Sequence, residues 1–392
     1  MAKMSFDNTE NAFKYKSDKE LKRAQFLFST MSSPNAASLG ISLAKWVINW
    51  NLPFKGLIKK TIYEQFCGGE NLEEISTTTQ RLANYKVGVC LDYGVEGASD
   101  EAAFDATVKA FEDTILFAAN KGNIPFIPLK ITGFGASEIL EKVSAGTTLT
   151  EAENSAWLRI KQRIDKVCEL CSQHSKMVLI DAEESWMQQA MDDLTDEMME
   201  KYNKEKVVVF NTFQMYRHDR LAFIKASHKK AKEKSYLLGV KIVRGAYMEK
   251  ERDRALEKGY LSPIQPNKEA TDRDFNLAID YCFENLNDLA LFIGTHNEAS
   301  SQKGVDLLAA KGLPNNHPHI FFSQLYGMSD NITFNLAAEG YNASKYLPYG
   351  ALKDVIPYLL RRAQENTSVA GQTSRELFLI NKEIARRKSS KS

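Results

Sequence analysis

The sequence predicts an α/β fold of the (β/α)8 TIM-barrel type, distorted and preceded by an N-terminal helical arm or cap. Three observations predict it. Eight short runs rich in apolar and β-branched residues recur between residues 85 and 347, each of a length that suits a buried parallel strand. Amphipathic helical stretches separate most of them. Polar or ionisable residues stand at or just beyond the end of each run, where a barrel of this class carries its chemistry. A doubly wound sheet usually has fewer strands and ranks second.

The elements follow in order. Residues 1–80 read as helical and form the arm. The runs are Tyr85–Leu91, Ile124–Ile131, Met177–Asp181, Val207–Asn211, Gly239–Val243, Ala290–Thr295, His319–Phe322 and Ala343–Leu347. Glu101–Asn120, Glu183–Tyr202, Gln214–Lys234, Glu298–Ala310 and Leu352–Glu365 repeat their apolar residues at helical spacing. Together these elements make a catalytic barrel over residues 81–375. Ser374 suits the N-cap of a last helix. Residues 376–392 hold the end of that helix and the basic tail ARRKSSKS, a solvated terminus.

Composition removes several functions. The 392 residues carry 51 Lys plus Arg against 50 Asp plus Glu, a formal net charge of +1. Nucleic-acid binding draws on clustered cations, so no nucleic-acid partner is expected. With 43% hydrophobic and 26% charged residues the chain reads as globular. Five cysteines at irregular spacing form no disulfide framework. Cys168 and Cys171 stand alone in a charged helical stretch, with nothing to complete a zinc site, so no metal is expected.

The N-terminus lacks an apolar signal core, and Asp7, Glu10, Asp18 and Glu20 do not suit a transit peptide. A cytoplasmic location is therefore expected. No run meets the requirement of about 20 apolar residues for a membrane span. Ile41–Lys60 carries Trp46, Trp50, Phe54 and Leu57 among Lys45, Lys55, Lys59 and Lys60. It reads first as a helix packed on the main domain, and second as an interfacial helix making transient, peripheral contact with a membrane.

The strand ends supply the candidates. Asp92 and Glu96 follow the first run, and Lys130 lies near the end of the second. Asp181 ends the third, Asn211 and Gln214 mark the fourth, and Lys241 leads into Arg244-Gly245-Ala246-Tyr247 at the fifth. The sixth run ends in Thr295-His296-Asn297, the seventh leads to Gln324, and the eighth leads through Tyr346 to Tyr349. Each taken alone is most simply a satisfied polar residue; the succession of such ends is the informative feature.

The last unit, YLPYGALKDVIPYLLRRAQEN, is the most specific. Tyr358, Arg361, Arg362 and Glu365 fall at i, i+3, i+4 and i+7 and share one helical face. Adjacent guanidinium groups suit a carboxylate or phosphate, since each fork can make two charge-assisted hydrogen bonds. In KIVRGAY, the Gly245-Ala246 step lets a planar ligand approach the backbone, between the cations Lys241 and Arg244. The stretch Gly133-Phe134-Gly135 lacks the third glycine of a dinucleotide fingerprint, and no Walker sequence is present. A nucleotide cofactor would therefore bind in a non-Rossmann manner. His296 has no serine or zinc motif around it that would support hydrolysis.

At this point LIDAEE (Leu179–Glu184), NTFQMY (Asn211–Tyr216), KIVRGAYMEKER (Lys241–Arg252), THNE (Thr295–Glu298), QLYGMSD (Gln324–Asp330) and the last unit together resemble the proline dehydrogenase family, in its monofunctional, eukaryote-like branch. The resemblance covers about residues 20 to 380. It implies a distorted barrel with FAD bound non-covalently at its top. It implies oxidation of L-proline to Δ1-pyrroline-5-carboxylate, the first step of proline catabolism to glutamate, by hydride transfer to flavin N5. The electrons pass on to a quinone or other acceptor. The resemblance also implies roles. Arg361 and Arg362 grip the proline carboxylate and Lys130 completes the anion site. Tyr346 and Tyr358 pack on the ring. Glu96 pairs with the first arginine, and Glu365 helps to hold the arginine face. Asp181, with Ala182 beside it, lies next to the flavin and to a catalytic lysine. Gln214, Lys241, Arg244, Gly245, Ala246, Thr295 and His296 line FAD. One departure stands out: many bacterial members read R-x-V-K-G-A-Y, and here Lys241 and Arg244 exchange the two cation types. The alternatives are a hydroxyproline dehydrogenase of the same family, a Schiff-base lyase with Lys130 as nucleophile, and a binding protein on a degenerate barrel. The sequence leaves the oligomeric state open.

Overall fold

A computed structural model describes residues 4–31, 59–94, 100–352, 354–356, 358, 359, 361 and 372–390. Eight parallel strands run in chain order around a closed barrel: β1 (Gly88–Tyr93), β2 (Phe126–Leu129), β3 (Met177–Ile180), β4 (Val209–Gln214), β5 (Leu238–Val243), β6 (Leu289–Gly294), β7 (Ile320–Leu325) and β8 (Ala343–Tyr349). Closure excludes the doubly wound sheet. The pairing of β1 with β8 (Gly88 opposite Ser344, Tyr93 opposite Tyr349) closes the ring.

Several runs shift by two or three residues from the sequence reading. β1 starts at Gly88, because Lys86 adopts φ of 59° and cannot pair as a strand residue. Asp92 lies inside β1 and not beyond it, whereas Tyr346 lies within β8 as the eighth run has it. The last helix spans Gln372–Ser389 and takes Ser374 into its first turn, which removes Ser374 as its N-cap. Two helices, Ser137–Ser144 and Glu151–Gln173, fill the long connection after β2. The second opens on a capping box from Thr150 and Glu153.

Contacts group the chain into two compact units, Val95–Phe322 and Met1–Gly94 with Ser323–Ser392. In the first, Phe126 meets Phe292 and Phe321 edge to face, with ring centroids 5.0 Å apart in each pair, and Phe210 stands edge-on to Phe126 at 6.2 Å. Phe126, Phe210 and Phe292 come from alternate strands, the layering that fills a barrel of this kind. The period-two alternation then puts Lys130 on the face of Phe126, Thr212 and Gln214 on that of Phe210, and Asp181 on that of Leu179. Gly239 in β5 has a steric reason: a Cβ there would lie 2.2 Å from the Val209 carbonyl oxygen.

In the second unit, Phe13, Leu21, Phe28, Phe66, Val355, Leu359 and Leu379 belong to one apolar cluster. Beside β8 stands a buried ionic group that the sequence reading missed. Lys345 Nζ lies 2.9 Å from Asp330 Oδ1, and Lys16 Nζ lies 3.0 Å from Asp330 Oδ2. The Tyr15 hydroxyl donates to Asp330 Oδ2 at 2.7 Å. Glu376, on the last helix, accepts from the Ser329 N–H. Burial pushes the Glu376 carboxyl up from 4.5 to about 7, and the neighbouring Asp330 charge adds to this. The fold therefore favours protonated Glu376. Folding takes up a proton between pH 4.5 and about 7, and stability falls as pH rises through that window. Glu376→Gln keeps the acceptor and removes the titration. Its stability relative to wild type should rise by up to about 3 kcal/mol across that window, measured by urea unfolding at pH 4.5 and pH 8.

Candidate active site

Three charged groups meet on the inner face of the barrel at the ends of β2, β3 and β5. Lys241 is only 4% exposed. Its ammonium donates to Asp181 Oδ1. Lys130 Nζ faces the other oxygen, Asp181 Oδ2, at 3.8 Å. Local structure sets each one. Lys241 is paired across the sheet with Thr212 and Phe292, and its ammonium lies 6.0 Å from the Phe292 ring centroid. Asp181 N donates to Leu129 O at 2.8 Å, which stitches the end of β3 to that of β2. Lys130 is the N-cap of a single 3₁₀ turn, Ile131–Gly133. A carboxylate held between two ammonium groups in a low-dielectric setting is an electrostatic unit, not a surface ion pair.

Gln214, the last residue of β4, bridges two neighbouring segments. Its amide donates to Glu183 O at 2.7 Å, and its oxygen accepts from Ala246 N at 3.4 Å. After β5, Gly245 takes φ of +130°, and a Cβ there would lie 2.6 Å from the Tyr216 ring. Gly245 and Ala246 are exposed, so the backbone there is open to a flat ligand. Ala182, beside Asp181, is 8% exposed.

Arg244 and Thr295 are brought together, but chiefly with each other. The Arg244 fork donates to Asp272 Oδ1 at 2.7 Å, Thr295 Oγ1 at 2.6 Å and Ser300 Oγ at 3.1 Å. The guanidinium lies 4.4 Å from the Phe275 ring centroid. His296 follows Thr295 and is half-buried. Sequence reasoning missed Asp272, Ser300 and Glu183. The only signal was the acidic pair after Asp181 in LIDAEE.

In the other unit, Tyr346 lies in β8 opposite Cys90. Tyr358 is 6% exposed and belongs to the apolar cluster with Val355 and Leu359. Arg361 is half-buried on the helical stretch after β8, one turn from Tyr358. Glu96, Arg362 and Glu365 lie outside the described residues, as does nearly all of Ile41–Lys60. Among the described residues no helix is long and apolar enough to cross a membrane.

A closed parallel barrel with two lysines on a partly buried carboxylate near its strand ends is a TIM-barrel enzyme. Comparison with known proteins narrows the class. The proline dehydrogenase family model matches residues 75–375, and the chain belongs to that family. A protein of Pectobacterium carotovorum named carbapenem antibiotics biosynthesis protein CarD is 35% identical over 85% of this chain and 86% of its own. The mitochondrial proline dehydrogenase 1 of Dictyostelium discoideum is 32% identical over 86% of this chain and 66% of its own. The hydroxyproline dehydrogenase of Xenopus laevis is 30% identical over 96% and 88%. Proline utilization A from Bdellovibrio bacteriovorus superposes with a TM-score of 0.72 at 19% identity; the match spans 93% of this chain but 38% of that longer one, and it supports the fold.

The expected cytoplasmic location is corrected by these relatives. Those from Dictyostelium discoideum, Homo sapiens and Arabidopsis thaliana are named mitochondrial. The acids read against a transit peptide belong to the folded body: Asp7 pairs with Arg375 at 2.6 Å and Asp18 with Arg387 at 2.9 Å.

The ionic unit has a measurable signature. Asp181→Ala leaves the buried Lys241 ammonium without its carboxylate and should cost about 3–5 kcal/mol. In the Lys241→Met background the same change should cost far less. A double-mutant cycle by chemical denaturation reads the coupling.

Proposed function

We propose that this enzyme oxidises L-proline to Δ1-pyrroline-5-carboxylate with FAD as cofactor and passes the electrons to a quinone-type acceptor. The observation that carries the reading is the Lys130–Asp181–Lys241 group at the strand ends of a chain whose residues 75–375 match the family.

The residues present suit FAD. The open Gly245–Ala246 backbone offers a flat approach, and the positive φ with Tyr216 behind it keeps position 245 to glycine. Gln214 ties that backbone to the Asp181 segment. Lys241, Thr295 and His296 supply an ammonium, a hydroxyl and an imidazole at neighbouring strand ends. When bound, FAD would accept the two electrons that proline gives up.

The chain's own part is orientation and electrostatics. Arg361 and Arg362 hold the proline carboxylate, and two charge-assisted forks offset its desolvation. Lys130 adds a third cation to that anion site. Its place beside Asp181 suits a bound ammonium better than a neutral nucleophile, which weighs against the Schiff-base lyase. Asp181 fixes the direction of the Lys241 ammonium. Tyr346 and Tyr358 flank the ring and exclude water, so that only the orientation of the ring carbon next to nitrogen remains to be set. The resemblance also gives Glu96 and Glu365 roles toward the arginines. Ile41–Lys60 is the candidate for membrane contact.

A second reading rests on the Xenopus laevis relative named hydroxyproline dehydrogenase, which covers nearly the whole chain. Two tyrosines against the ring leave little room for a hydroxyl and favour proline. The ratio of kcat/KM on L-proline to that on trans-4-hydroxy-L-proline decides between the two.

The purified protein should show flavin absorption that bleaches when L-proline is added; a colourless protein, or a colour that proline does not touch, defeats the reading. Arg361→Ala should weaken proline through KM by about 2–5 kcal/mol, with flavin retained. Steady-state kinetics and the visible spectrum check both parts.

A further inference from the structure

Glu183 lies two residues beyond Asp181 and is 5% exposed. Both of its carboxylate oxygens go to one residue: Thr132 N donates to Oε1 at 3.2 Å and Thr132 Oγ1 donates to Oε2 at 2.7 Å. Thr132 sits in the 3₁₀ turn that Lys130 caps, and Gly133 N donates back to Lys130 O at 3.0 Å. The clamp therefore closes on the turn that holds Lys130.

Glu183 is itself anchored. Its N–H donates to Gln188 Oε1 at 3.0 Å, and its carbonyl accepts from Gln214 Nε2 at 2.7 Å. Gln188 Nε2 donates to Asp192 Oδ1 at 2.9 Å, and Asp192 is paired with Arg220 at 2.7 Å. All of these groups are buried. A chain of satisfied buried polar groups is stiff, and it transmits position from helix Ser185–Tyr202 to the turn after β2.

The arrangement is costly. Burial pushes the Glu183 carboxyl up to about 7, against the opposing effect of the Thr132 hydrogen bonds and the Lys130 charge. A smaller polar residue would satisfy Thr132 with less desolvation. What only a forked, acceptor-rich side chain does is grip the amide and the hydroxyl together and so fix the turn. Lys130 stands 3.8 Å from Asp181, whereas Lys241 is in direct hydrogen-bond contact with it.

We infer that Glu183, acting with Thr132, is a positioning residue that holds the Lys130 ammonium at the edge of the Asp181 ion pair, where it is presented to the substrate carboxylate. The inference rests on the proposed role of Lys130 in the anion site. It adds a residue that acts through the turn holding Lys130.

The test compares the FAD-loaded wild type with Glu183→Ala, Glu183→Gln and Thr132→Val. It measures kcat and KM for L-proline, flavin content, and the calorimetric affinity for cyclopentanecarboxylate, a ring anion that cannot be oxidised in this way. Glu183→Ala should raise KM by about 10- to 100-fold, the scale of a displaced binding group, with kcat changed far less and flavin retained. The anion affinity should fall by the same factor. Glu183→Gln can accept from the Thr132 amide and donate to its hydroxyl, and should restore most of the loss. Thr132→Val, which keeps one of the two bonds, should fall between. Unchanged KM and anion affinity in Glu183→Ala and Thr132→Val overturn the inference. So does a Glu183→Gln as impaired as the alanine variant, which would give the role to the charge. If Glu183→Ala does not fold, the other two variants decide by the same readouts. A wild type that binds the anion but does not oxidise proline defeats the functional reading alone, and the anion affinities still test the clamp.

Discussion

The Asp181 carboxylate, shared between the ammonium groups of Lys130 and Lys241, is the interaction on which the rest of this site depends. None of the three charges is stable there alone. Lys241 is almost fully enclosed, and an unpaired ammonium in such a place costs several kcal/mol. β2, β3 and β5 must keep a fixed register for the group to exist, since Lys241 lies two residues before the end of β5. The barrel supplies that register, because Asp181 N is bonded to the end of β2 and Lys241 is paired with Thr212 of β4. Site and frame are thus one construction: the same backbone bonds that close the sheet set the spacing of the charges.

Around that group the structure uses buried polar chains in place of apolar packing. Gln214 links the segment after β3 to the one after β5, and Glu183 links it to the turn after β2. Arg244, with its fork spent on Asp272, Thr295 and Ser300, ties the end of β5 to that of β6. Such networks contribute modestly to net stability, but they fix geometry, since each buried member has lost its water and has few other partners. A loop held in this way resembles the barrel wall in stiffness, which suits a site whose task is orientation.

The unit that holds β1 and β8 shows the same economy in a structural role. Asp330 is contacted by Lys345, Lys16 and the Tyr15 hydroxyl, and so joins the N-terminal residues to the outer side of β8. Glu376 adds the last helix through the Ser329 amide. Buried ions of this type give specificity of docking more than strength. They make the pose of the terminal segments sensitive to protonation.

The sequence by itself determined the repeating pattern and the chemistry at each strand end. Run length and helical spacing are local properties, so eight strands, their order and the placement of Lys130, Asp181 and Lys241 near strand ends were legible, as were the motifs that carry the family. Partners were decided only by the tertiary structure. Tyr15 and Asp330 are 315 positions apart, and Glu183 and Thr132 are 51 apart. No local pattern says which acid meets which base. Arg244 read as a cation flanking Gly245-Ala246, and its fork meets Asp272, Thr295 and Ser300; the acids after Asp181 read as part of a motif, and one of them grips Thr132. Side-chain direction follows from the backbone period, but which groups then lie within 3 Å of one another depends on how the sheet closes and how its connecting segments fold back.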